Sequence, residues 1–357
     1  MLNLQVKGAV NVFAMRKLLN TLYVTTPESY LTKDGENVVV KVDNVETFRI
    51  PIHNIEGIVC FGYMGTSPGL MGMCADKNVG LSFVSPSGKF IGRFQGKVNG
   101  NVLLRRKQYR LADSEDDVVS VARVFIMGKI ANCRSILQRI IRDHGSSVNV
   151  GILEESSTIL QNTLKSIFRV KSLDELRGYE GEAALAYFTA FDHLILCQKE
   201  EFFFRGRNRR PPRDNVNAML SFVYTILMHD VQSAIETVGL DPYVGFLHRD
   251  RPGRPSLALD MMEEFRPYLA DRLVLSLINR KQVSSRGFLH TDTDDVIMKD
   301  DTRKEIITAW HKRKLEKIMH PWLQEEIPIG LLPYAQALLF ARYMRGDMDN
   351  YPVFIMK

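Results

Sequence analysis

The chain has 357 residues, 45% hydrophobic and 25% charged, an ordinary globular balance with length for one large domain or two smaller ones. The longest apolar runs, such as 220–228 with Ser221 and Thr225 inside it, fall far short of the ~20 residues of a membrane span, so no membrane partner is expected. A net charge of +6 (pI ≈ 9.0) is compatible with a polyanionic partner without establishing one.

Residues 1–14 carry one short apolar stretch and no small-residue cleavage site, so they read as an extension or alternative start rather than a secretory signal. From Leu18 to about Phe94 the pattern is that of strands: 18–24, 30–32, 37–42, 47–52, 55–60, 81–84 and 89–94. Asp34-Gly35 between β-formers is a hairpin signal, Pro86-Ser87-Gly88 a turn, and Pro68–Asp76 a short inserted helix. After Asn101 the period becomes helical, with apolar residues at i, i+3, i+4 and i+7. Helices are expected at 102–111, 118–143, 153–168, 180–197, 214–238, 257–280, 303–318 and 330–346, with Asp214 as an N-cap and Gly239 as a stop. The acidic stretch 282–302 reads as a surface loop or hairpin. The fold class is therefore α+β: an N-terminal β-sheet domain at 15–97, followed by a larger all-helical domain at 98–357 that would carry the catalysis.

Four cysteines (Cys60, Cys74, Cys133 and Cys197) lie far apart with no C-x-x-C, which excludes a thiolate zinc knuckle and argues against a disulfide framework. A reducing cytoplasm is the expected setting, with Cys133 and Cys197 as buried thiols. Nucleotide-binding P-loop, H-E-x-x-H, EF-hand and G-x-S-x-G signatures are all missing from the sequence.

Three segments remain as candidates for chemistry. Glu180-Gly181-Glu182 opens the helix expected at 180, where first-turn carboxylates are stabilised by the macrodipole. Gly245-Phe246-Leu247-His248 brings an apolar approach to a histidine, which alone reads equally as a packing residue. Asp260, Glu263 and Glu264 follow on one helix, and Asp260 and Glu263 share a face at i, i+3. Their mutual repulsion would become attraction around a cation, and Arg266 could offset part of it. One imidazole with two or three carboxylates suits Mg²⁺ or Mn²⁺ with open water positions, and suits zinc less well. Charge also has a location: Arg205, Arg207, Arg209, Arg210 and Arg213 fall within nine residues, and Arg249, Arg251 and Arg254 follow His248 directly. Such loops suit phosphate oxygens.

Taken together, Glu180-Gly181-Glu182-Ala183-Ala184 through Tyr187, Arg210-Pro211-Pro212 with Asp214 and Asn217, Gly245-Phe246-Leu247-His248, and Leu257-Ala258-Leu259-Asp260 through Pro267 resemble the CRISPR adaptation integrase, the family-one Cas protein. The stretch from Met15 to Val24 is similar to the start of type I-C members. The resemblance implies a metal held by Glu180, His248 and Glu263, with Asp260 as a supporting catalytic acid. It further implies a metal-dependent DNA endonuclease and integrase that joins the 3′-hydroxyl ends of captured double-stranded DNA to the CRISPR repeat by transesterification. The partners it implies are a second copy (dimerising through the β domain), the second adaptation protein in a heterohexamer, and the family-four Cas nuclease. Two other readings stand beside it: a DNA-binding scaffold without catalysis, and a general metal-dependent nuclease on branched DNA.

Overall fold

The computed structural model describes residues 21–24, 26, 28–55, 57–62, 64–77, 79–84, 90–94, 96, 102–208, 211–293 and 295–356. The extension at 1–14, the turn at 86–88, the domain boundary at 97/98 and the side chains of Arg209 and Arg210 lie outside them.

In chain order the N-terminal strands are β1 (Thr21–Val24), β2 (Tyr30–Asp34), β3 (Asn37–Val42), β4 (Val45–Pro51), β5 (Gly57–Phe61), β6 (Gly65–Thr66), β7 (Gly80–Val84) and β8 (Phe90–Phe94). They form two four-stranded sheets, ordered β1-β5-β7-β8 and β4-β3-β2-β6, where the sequence suggested one. The Asp34-Gly35 signal holds: Asp34 lies opposite Asn37, and Gly35 takes φ 56° in the two-residue turn. A second tight turn, on Asp43 (φ 51°) and Asn44 (φ 63°), starts β4 two residues before the expected Thr47. Asp and Asn are the non-glycine residues that best tolerate this left-handed backbone. Helix α1 (Pro68–Asp76) is capped by Ser67, whose Oγ accepts from Leu70 N. Its Leu70 and Cys74 close a small core with Leu31, Val38, Ile58 and Cys60. Burial pushes the Cys60 and Cys74 thiols up to about 12, which leaves them unreactive.

The remaining chain holds helices α2 (Val102–Ala112), α3 (Glu115–His144), α4 (Val150–Ser166), α5 (Leu173–Phe191), α6 (Asn215–Thr237), α7 (Ser256–Met262), α8 (Arg272–Asn279), α9 (Asp300–Leu315) and α10 (Leu332–Arg345). Two small hairpins join them, β9 (Phe288–His290) with β10 (Val296–Met298), and β11 (Lys317–Met319) with β12 (Glu326–Pro328). Three of these elements depart from the sequence reading. The helix expected at 257–280 widens into a π-helical turn over Arg266–Asp271, where Pro267 has no N–H to continue the α ladder. The helix expected at 303–318 ends at Leu315, and 317–319 pairs as a strand. Helix α5 begins at Leu173, capped by the Ser172 hydroxyl, so Glu180 sits in mid-helix rather than at an N-terminus.

Helix α3 is the axis of the larger core. Asp117 N donates to its Ser114 cap, acids fill its first turn and Arg142 and His144 its last. Its buried stripe runs through Ala122, Phe125, Ile126, Ile130 and Cys133, packed on α4, α5 and the π turn, and Val59 of β5 joins the same core. Cys197 is only partly covered, and all four cysteines are free thiols. Among the described residues no helix is long and apolar enough to cross a membrane.

The two parts meet at Arg93 of β8, which pairs with Glu236 of α6 and reaches Ser233 Oγ at 3.4 Å. His229, one turn back on α6 and buried, is held at about 3 by burial and then by the nearby Arg93 charge. A histidine kept neutral in the fold gains its proton only on unfolding. Its stabilising contribution is complete above the ordinary value of 6.5 and is lost as pH falls from there toward 3. Chemical denaturation between pH 7 and pH 4.5 should show a His229 term approaching about 1.4 kcal/mol per pH unit below 6.5. That term should be absent in His229→Gln.

Candidate metal centre

Helices α3, α5 and the segment after α7 bring three charged side chains to one point. Lys129 of α3 projects into the protein on the stripe that otherwise holds Phe125 and Cys133. Its ammonium pairs with Glu180 of α5 and lies 3.0 Å from Glu263 Oε2. Glu263 is almost fully buried, and its other oxygen is 2.8 Å from Arg266 Nη1. Burial alone would raise the Glu263 carboxyl; Arg266, Lys129 and His248 outweigh it and hold the group ionised, below its ordinary range. Burial likewise works against the Lys129 charge, and Glu263 and Glu180 overcome it, raising the ammonium above its ordinary value. Glu180 remains 28% exposed, so the cluster opens to solvent on the α5 side.

His248 is placed by a separate device. The loop 245–248 wraps around the fully buried Asp260 carboxylate, which accepts from Phe246 N (2.6 Å), Leu247 N (2.9 Å), His248 N (2.9 Å) and His248 Nδ1 (2.6 Å). Gly245 permits the wrap, since a Cβ there would lie 2.7 Å from Ser256 Cβ and 2.9 Å from Asp260 Oδ2. A carboxylate only accepts, so Nδ1 carries a proton, and in the neutral ring Nε2 keeps its lone pair. Arg177 Nη2, one turn before Glu180, donates to Leu247 O at 2.7 Å and ties the loop to α5.

The other acids are occupied or turned away. Glu182 is exposed. Glu264 is buried and serves the C-terminal segment: it accepts from Tyr351 Oη (2.5 Å), Phe354 N (2.5 Å) and Gln336 Nε2 (3.0 Å), while burial pushes its carboxyl up to about 8. Asp271 accepts from Tyr187 Oη (3.0 Å) and Tyr224 Oη (2.6 Å), and burial raises it to about 6.

The arginine loops divide in the same way. Arg205, Arg249 and Arg251 are exposed. Arg207 is engaged inside, donating to Asn217 Oδ1 and Ser221 Oγ with its guanidinium 5.3 Å from the Tyr224 ring centre. Arg254 braces its own loop through Arg249 O and Ser256 Oγ.

Two features fit a divalent cation. Glu263 Oε2 is buried without a directed hydrogen bond, with the Lys129 ammonium 3.0 Å away. The donors Glu180, Glu263 and His248 Nε2 are the oxygen and imidazole set that Mg²⁺ or Mn²⁺ accepts. Among the described residues, however, no three His, Cys, Asp or Glu side chains converge closely enough to hold an ion as they stand. The two glutamates meet around Lys129, and His248 stands near Glu263 with its Nδ1 engaged by Asp260.

Known proteins share this arrangement of a two-sheet N-terminal part followed by a helical domain. The family described as CRISPR associated protein Cas1 matches residues 22–312. The chain is 51% identical over 343 residues to the CRISPR-associated endonuclease Cas1 1 of Chlorobaculum tepidum, covering 96% of this chain and all of that protein. It is 34% identical over 341 residues to a CRISPR-associated exonuclease Cas4/endonuclease Cas1 fusion of Geobacter sulfurreducens, covering 94% of this chain and 60% of the fusion. The fold is shared with a Cas6-RT-Cas1–Cas2 complex (TM-score 0.80, 20% identity, 95% of this chain and 36% of that one) and with a casposase bound to integration product (TM-score 0.79, 23% identity, 95% and 94%). The chain belongs to the Cas1 family.

Asp260→Asn tests the loop device. Asparagine offers one acceptor oxygen in place of two and turns an –NH₂ toward backbone donors, leaving buried N–H groups unmet. The variant should lose roughly 2–4 kcal/mol in urea denaturation, with the Nδ1 anchor of His248 lost as well.

Proposed function

We propose that this protein is a metal-dependent DNA endonuclease and integrase of CRISPR adaptation, which joins the 3′-hydroxyl ends of captured duplex fragments to the CRISPR repeat. The observation that carries the reading is the pair of carboxylates, Glu180 and Glu263, held on either side of one cation beside an imidazole with its Nε2 free. Membership of the Cas1 family, whose curated relatives are named endonucleases, supports it.

Glu180, Glu263 and His248 would hold Mg²⁺ or Mn²⁺, which supplies Lewis-acid polarisation of a phosphodiester. Asp260 fixes the imidazole tautomer and the ring orientation, so that Nε2 is presented without a search over rotamers. Arg266 and Lys129 keep Glu263 ionised, and so ready as a ligand, at all ordinary pH values. In the joining step the fragment's 3′-oxygen forms a new P–O bond while the P–O bond to the departing strand breaks. The proton lost by the attacking hydroxyl is regained by the departing oxygen, so the exchange balances without an energy-supplying cofactor. The exposed Arg205, Arg249 and Arg251 would meet the DNA backbone, giving salt-sensitive affinity.

The proposed assembly is a homodimer joined to the second adaptation protein in a heterohexamer. A Cas1–Cas2 complex among the fold relatives supports the second partner, and the Cas4/Cas1 fusion supports the family-four nuclease as a third.

Strand joining is measured with 3′-hydroxyl duplexes, a repeat-bearing plasmid, the second adaptation protein and Mn²⁺. Glu180→Ala, His248→Ala and Glu263→Gln should each lower joining by on the order of 100-fold or more while circular dichroism is unchanged. Glutamine is chosen at 263 because it keeps the size and one acceptor oxygen for Lys129 and Arg266, whereas alanine would leave both buried heads facing a void. Undiminished joining by the triple variant contradicts the proposal.

A further inference from the structure

Lys129 is the one part of the cluster that the proposed chemistry does not need as a ligand, yet it occupies the space between two of the ligands. Its side chain is buried, and its ammonium contacts both Glu180 and Glu263. The acids do not converge with it there. A lysine on the apolar stripe of α3 costs desolvation free energy, and this one recovers it from the two carboxylates alone.

We propose that Lys129 is a resident counter-cation of the metal site: it holds Glu180 and Glu263 together in the metal-free protein and must withdraw for the divalent ion to enter. The inference rests on the metal reading above. Charge arithmetic supports it. With Lys129 and Arg266 in place, the two carboxylates already face two positive charges, and an incoming dication would meet the Lys129 ammonium within contact distance. That repulsion is large in a desolvated site, and the two cations cannot share the same oxygens.

The structure also offers a place to withdraw to. A small cavity of about 30 Å³, enough for a water-sized ammonium head, is lined by Lys129 itself together with Cys133, Ala183, Tyr187, Tyr224 and Asp271. Small residues of α5 leave the space, and each Asp271 oxygen in its wall, though it accepts from a tyrosine, has a second lone pair for a displaced ammonium. The proposed withdrawal is a rotamer change of a flexible four-carbon side chain.

The test is Mn²⁺ binding by calorimetry, with thermal unfolding of the full chain recorded without and with Mn²⁺, for the wild type, Lys129→Met and Lys129→Arg. Methionine keeps the length and removes the charge, so metal has nothing to displace. Its Mn²⁺ dissociation constant should fall by at least about tenfold, while its metal-free melting temperature falls and is restored by Mn²⁺. Arginine keeps the charge on a bulkier head, so Mn²⁺ should bind less tightly than to the wild type. A purely structural lysine predicts the reverse for methionine, with weaker or unchanged metal binding, and that result overturns the proposal. If Lys129→Met folds neither with nor without metal, the arginine arm decides, and wild-type affinity there overturns it. A wild type that binds no Mn²⁺ would overturn the metal reading itself, which separates that failure from this one.

Discussion

A carboxylate with almost no exposure to water cannot stay charged unless opposite charge is brought to it, and Glu263 is such a group. Arg266 comes from its own chain segment, three residues on, but Lys129 comes from α3 and Glu180 from α5. Lys129 answers both glutamates, so the electrostatics of the cluster require three elements to be docked in register. The neighbouring turn of α3 is shaped for that docking. Gly128 has no side chain, and a Cβ there would lie 2.4 Å from Val353 Cγ2 and 3.1 Å from Glu264 Cβ. Asn132, one turn on, donates to Glu264 O (2.7 Å) and Phe354 O (2.9 Å) and accepts from Met356 N (2.8 Å). The C-terminal segment, α3 and the acidic segment after α7 thus lock together directly behind the cluster.

Adjacent residues end in opposite roles because they face opposite neighbours. Glu263 points to two cations and is kept ionised; Glu264 points to a hydroxyl, a backbone N–H and an amide, and its carboxyl rises to about 8. Asp260 and Glu263, one turn apart, divide similarly, the first taken up by four donors from the 245–248 loop and the second left facing the cluster. Nothing in the order of the letters assigns these roles. Burial and the identity of the partners do.

Much of the framework was legible in the sequence because it rests on local rules. Asp34-Gly35 turned where expected, Asp214 capped α6 by accepting from Asn217 N at 2.7 Å, and Gly239 ended the helix with φ 84°. The two-sheet arrangement was not legible, since strand patterns do not state which strands pair, and β6 has only two residues. Residues alone left Glu180 against Glu182 and a choice among Asp260, Glu263 and Glu264. The family resemblance made the selection; in the structure Glu182 faces solvent and Glu264 is spent on the C-terminal segment. Lys129 was missed. Its signal was present, a cation four residues from Phe125 and four from Cys133 on a stripe otherwise buried, but the order of residues does not say which acids a buried cation will meet. The mid-helix position of Glu180 was missed because the Ser172 cap lies eight residues before it, beyond the segment taken to open the helix. That position matters, since Glu180 then gains nothing from a helix terminus and depends on Lys129 for its partner.

The account stands or falls on where a divalent ion binds. Crystals of the protein soaked in Mn²⁺ and measured at the manganese absorption edge would locate it by anomalous scattering. The account predicts one strong peak within about 2–2.3 Å of a Glu180 oxygen, a Glu263 oxygen and His248 Nε2. Density confined to other acids, or none at full Mn²⁺ saturation with the three side chains ordered, would contradict it.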